Sequence, residues 1–146
     1  LVAVTRGIDG PQHQLRAIVG HLVALATHRD TPWGFRVLLR EVLSPSPALP
    51  ALVEKAVRPK ARLLLSLMAD LLDLPPEHAA VQRGVMFTVL PCIAMMIAPK
   101  EMPARLLPGA AKDADALGAD FVDFIMAGLQ ALGQAHRPRA RRRAAG

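Results

Sequence analysis

Tyrosine is absent from this 146-residue sequence, and phenylalanine and tryptophan together supply five side chains. Stacking platforms of the kind that hold single-stranded nucleic acid are therefore scarce. There is one cysteine, Cys92, which excludes an internal disulfide framework and a cysteine-based zinc cluster and points to a reducing compartment such as the cytoplasm. None of His13, His21, His28, His78 and His136 lies four residues from another, and HExxH is missing. No metal site is expected from such spacing; His21 and His28 read as a polar surface stripe. Glycine-rich phosphate loops and GxSxG are missing too. A nucleophilic thiol needs a base or cation beside it, and Cys92 has only apolar neighbours in sequence, so it reads as buried and inert. Asp70, Asp73, Asp113 and Asp115 fall at helix ends, where capping and solvation account for them. Neither an enzyme nor a cofactor is expected.

The net charge of +6 resembles a nucleic-acid signal until it is located. Arg137, Arg139, Arg141, Arg142 and Arg143 hold five of the eighteen basic residues, leaving thirteen against twelve acidic ones in the body. The tail attracts phosphate backbones through counterion release, yet it carries no groups that read bases. Residues 134–146 read as a disordered basic tail. The opening "LVAVTRGIDG" is not a basic patch followed by an apolar core, so no secretory signal is expected.

The stretch "GVMFTVLPCIAMMIAPK" is uncharged from Gly84 to Pro99 and is interrupted by Pro91. A membrane-spanning helix needs about 20 apolar residues, so this run is too short and no membrane is expected. Its apolar residues cover every side of a helical wheel, which requires burial on more than one side. A partner chain or a ligand cavity must cover what the domain itself does not.

Strand signals are weak, whereas helical periodicity is strong. From Pro11 the set Leu15, Ile18, Val19, Leu22, Leu25 and Ala26 marks one helix face. Thr31 and Pro32 suit the cap and first turn of a second helix with Phe35, Leu38, Leu39 and Val42 buried. Ser46-Pro47 repeats that start for a helix reaching about residue 72, kinked at Pro59 and buried through Leu64, Leu67, Met68, Leu71 and Leu72. A helix over about 77–98 follows, kinked at Pro91 with the Phe87 carbonyl freed. The last helix starts near Asp113, carries Leu117, Phe121, Phe124, Ile125, Gly128, Leu129 and Leu132, and stops at Gly133. The fold class is all-α, a multi-helix orthogonal bundle.

In order, "WGFRVLLREVLSPSPALPALVEKAVRPKARLLLSLMADLLDLPPEHAAV", an apolar helix with a central cysteine, "RLLPGA" and "FVDFIMAGLQAL" resemble the C-terminal domain of TetR-family transcriptional regulators, in the CecR-like branch. The resemblance covers roughly 15–132. It implies an effector-sensing and dimerisation domain over 11–133, with 1–10 as the tail of a linking helix. DNA would be reached only through an N-terminal helix-turn-helix module that is absent from these residues. It also implies that the last two long helices, about 77–98 and 114–132, pair with their copies in a homodimer as a four-helix interface. The interface candidates are Val85, Val89, Ile93, Phe121, Phe124, Ile125, Gly128 and Leu129. For a small apolar effector the candidate wall is Trp33, Phe35, Leu39, Met68, Met86, Phe87, Cys92 and Met96, since methionine repacks readily around different ligands. Arg40 or Arg62 would orient a polar end. The competing class is a structural helical dimerisation module without a ligand.

Overall fold

The computed structural model describes residues 2–27, 37, 40–41, 43–98 and 101–136. Within them all regular structure is helical. The elements are α1 (Val2–Thr5), α2 (Pro11–Thr27), α3 (Leu49–Leu52), a π turn (Val53–Val57), α4 (Arg58–Leu72), α5 (Ala79–Ile97), α6 (Glu101–Leu106), α7 (Pro108–Ala111) and α8 (Ala114–His136). The expected second helix, with Thr31, Phe35, Leu38 and Val42, lies largely outside the described residues.

Helices α2, α4, α5 and α8 all pack against one another, and α2 also packs against α1. The buried residues of α2 are Leu15, Ile18, Val19, Leu22, Val23 and Ala26. Steps of three and four residues place them on one stripe. Leu25, expected inside, is half-buried, and Val23 takes its place. Leu64, Leu67, Met68, Ala69 and Leu72 of α4 meet this stripe.

Glycine sets how closely the helices approach. A Cβ on Gly84 would lie 3.0 Å from Met68 Sδ and 3.3 Å from Leu129 Cδ2, so α5 sits against both α4 and α8. Gly133 does not stop α8, which continues to His136. It is buried against Leu72, whose Cδ2 would be 3.2 Å from an added Cβ. This close approach, rather than a left-handed C-cap, explains the glycine.

The cap expectations divide. Asp113 Oδ1 accepts from the Asp115 and Ala116 N–H groups at 3.0 and 2.9 Å, starting α8 as its sequence suggests. Ser46 does not cap α3, whose N-cap is Ala48 with Pro50 in the first turn. Ser46 instead donates its N–H and hydroxyl to Glu41 Oε2, at 3.0 and 2.7 Å, and accepts from Ala48 N–H. Before Pro59 the chain makes a π turn, with Arg58 N–H bonded to the Val53 carbonyl. The half-buried line therefore runs Ala61, Val57, Leu52, Leu49, with a five-residue step inside the turn. Asp73 closes α4 in the left-handed conformation, at φ 56°.

Candidate functional site

The two faces of α5 are chemically alike and structurally opposite. Ala80, Val81, Gly84, Thr88 and Cys92 point inward, while Met86, Phe87, Leu90 and Ile97 are exposed. Thr88 is the buried polar residue of the inner face, and its hydroxyl donates to the Gly84 carbonyl at 2.8 Å. The Cys92 thiol repeats the move one turn on, donating to the Thr88 carbonyl at 3.3 Å. Helix α5 runs unbroken through Pro91. Pro91 has no N–H to give the Phe87 carbonyl, and this omission falls on the exposed side. Burial pushes the Cys92 thiol up to about 11, which leaves it protonated and unsuited to nucleophilic attack.

Helix α8 divides in the same way. Val122, Ile125, Met126, Leu129 and Gly133 are buried, while Phe124 is 75% exposed. Ala127, Gly128 and Ala131 are exposed beside it, and a Cβ on Gly128 would meet nothing within 4 Å. The His78 and His136 rings stand edge to face, 5.6 Å apart, and Gly84 sits against Leu129. The start of α5 thus meets the end of α8, and the two helices run antiparallel.

The described members of the sequence-derived effector wall divide between two faces. Met68 and Cys92 are buried in the core, whereas Met86 and Phe87 lie on the opposite face of α5 and Met96 is half-buried. Trp33, Phe35 and Leu39 lie outside the described residues; Arg40 and Arg62 are exposed. Among the interface candidates, Phe124 and Gly128 face outward. Val85, Val89, Ile93 and Phe121 are half-buried, while Ile125 and Leu129 are inside their own domain. Sequence reasoning missed Leu90, which is 53% exposed between Met86 and Ile97. The available signal was its spacing from Met86, one turn away, but a helix apolar on all sides gives no phase.

A shallow groove of about 340 Å³ lies between α2 and α8. Val23 and Val122 form its floor; Gly20, Ala24, Gly118 and Ala119 leave it open, and Arg16, Thr27 and Asp115 stand at its edge. Arg16 bridges the two helices through a 2.5 Å ion pair with Asp123.

Residues 11–129 match the family model of the C-terminal domain of the HTH-type transcriptional dual regulator CecR. The chain belongs to the CecR C-terminal-domain family. Individually curated proteins give no significant match. Membership identifies a domain of a TetR-like transcriptional regulator. The length expectation counted only the uncharged run from Gly84; helix α5 starts five residues earlier, at Ala79, so by length and composition alone α5 and α8 are both long and apolar enough to cross a membrane. In the CecR-type domain each instead lends one face to a common core with α2 and α4.

Proposed function

We propose that this CecR-type domain senses a small apolar effector and dimerises, modulating DNA binding by an N-terminal helix-turn-helix module in the cytoplasm. The observation that supports dimerisation is the pair of outward apolar strips. Phe124, Leu90, Phe87 and Met86 are 75, 53, 50 and 44% exposed on two adjacent helices. Burying a large apolar side chain is worth about 1.5–3 kcal/mol, so a second copy covering both strips gains substantially. Two antiparallel helices from each copy, related by a two-fold axis, make a four-helix interface. Phe124 is the protruding side chain, and Ala127, Gly128 and Ala131 form the recess. This assignment exchanges roles between helix faces. Met86 and Phe87 serve the interface, while Ile125 and Leu129 support it from behind.

An effector changes DNA affinity only through its differential affinity for two dimer shapes. One space of suitable size is the α2–α8 groove, whose volume falls within the range of small-ligand sites. Its α8 wall is the back of an interface helix. Light scattering of the parent and of Leu90→Asp tests the dimer, with a dimer expected for the first and a monomer for the second. Thermal-shift screening of apolar compounds on the verified dimer tests sensing.

A second reading is a dimerisation module without a ligand. It is favoured by Met68 and Cys92, which pack into the core instead of lining a void. A uniformly negative screen on a folded dimer would select it.

A further inference from the structure

The join between α1 and α2 is built from two residues that only glycine suits and a side chain that closes over them. Gly7 and Gly10 adopt φ of 77° and 83°, a region L side chains rarely enter. Two such glycines within four residues would ordinarily make a loose connection. Here the first turn of α2 reaches back over it. Gln14 Nε2 donates to the Ile8 carbonyl at 2.7 Å in a part-buried position. His13 Nδ1 lies 3.2 Å from the Asp9 carbonyl, so consecutive carbonyls are held by consecutive side chains. The backbone adds Ile8 N–H to the Thr5 carbonyl at 3.2 Å and Gln14 N–H to the Gly10 carbonyl at 3.1 Å. Every peptide unit from Ile8 to Gly10 is tied to α1 or α2.

We propose that residues 6–10 form a latched elbow, with Gln14 as its latch, which fixes the direction of α1 relative to α2. A latched elbow passes a shift of α2 into α1 and the chain ahead of it, whereas a loose one dissipates the shift. That regulatory meaning rests on the sensor reading; the latch itself does not. Helix α2 is the appropriate input because it packs directly against α1 as well as against α4, α5 and α8.

The test uses the full chain with spin labels at Ala3→Cys and Ser66→Cys, both exposed sites on α1 and α4. Labelled protein is diluted with unlabelled protein so that distances within one chain dominate. Cys92 is buried and does not compete for label. Electron–electron resonance should give one narrow distance distribution for the parent. Gln14→Glu keeps the size of the side chain but removes the donor, and should broaden the distribution about twofold with little change in melting temperature. Gly10→Ala, which cannot hold φ 83° without strain, should broaden it as well. A parent already as broad as the variants, or a Gln14→Glu distribution as narrow as the parent, would overturn the proposal. Light scattering on the same samples reports the dimer independently, so a monomeric parent would count against the sensor reading and leave the elbow result intact.

Discussion

Gly84 lies directly beneath Met68, with space for no further carbon between them: an added Cβ would stand 3.0 Å from Sδ and 3.2 Å from Cγ. Both contacts are to the middle of the methionine chain, and Leu129 closes the other side at 3.3 Å. Gly84→Val should therefore destabilise the fold by about 2–3 kcal/mol, as overpacking does in a tight core. Urea denaturation followed by circular dichroism measures it.

Gly128 is the opposite case. A Cβ there meets nothing within one chain, so Gly128→Ala should stabilise the isolated fold by about 0.5–1 kcal/mol through helix propensity. In the proposed dimer the same carbon intrudes into the recess for Phe124. The expected result is a higher melting temperature for dilute protein together with a weaker dimer by analytical ultracentrifugation. A tighter dimer would remove Gly128 from the interface.

Cys92 links stability to alkaline pH. Its thiol is raised from an ordinary 9.0 to about 11 by burial. Between those values the unfolded chain loses the proton while the folded chain keeps it, so the stabilisation is complete below pH 9 and is lost as pH rises toward 11. The full loss is about 2–3 kcal/mol. Cys92→Ala should flatten this part of the stability–pH curve while lowering its plateau through the cavity it leaves. Thiol-reactive dye should label native protein far more slowly than urea-unfolded protein at pH 8.

At the other end of the pH range, Glu41 is held below its ordinary value, chiefly by the Ser46 hydroxyl and then by the Ser46 N–H. The ionised carboxylate is the better acceptor, so this turn is tightest at neutral pH and loosens as pH falls through the folded value. Amide exchange at Ser46 should accelerate on acidification. Glu41→Gln should show the faster exchange already at neutral pH.

His78 caps α5 by accepting the Ala80 N–H on Nδ1 at 3.1 Å. Histidine is an unusual cap, and Asn reaches the same N–H groups. His78→Ala should cost about 1 kcal/mol and His78→Asn only a few tenths, read from paired denaturation curves.

The sequence made the helices legible because their apolar residues are periodic wherever one face meets water. Leu15, Ile18, Val19 and Leu22 of α2 could be phased without a structure for that reason, as could Leu64, Leu67, Met68 and Leu72 of α4. The order of those helices also led to the family, which the match over residues 11–129 shows. Helix α5 could not be phased. Met86 and Cys92 look equivalent in a uniformly apolar stretch, yet one is 44% exposed and the other 1%. Only the packing of Gly84 and Thr88 against neighbouring helices distinguishes the sides. Gly133 misled for a related reason: glycine serves both as a stop and as a spacer, and the spacing is set by Leu72, sixty-one positions earlier.

The π turn at Val53–Val57 also makes chain length adjustable here. Its wider turn accommodates one residue more than an α-helix would, between a packed segment beginning near Ala61 and an arm with no buried residue. Deleting Lys55 should let the turn tighten to α geometry without rephasing Leu64, Met68 or Leu72. Insertions and deletions among homologous chains should accordingly collect at this turn, leaving the length of α4 constant.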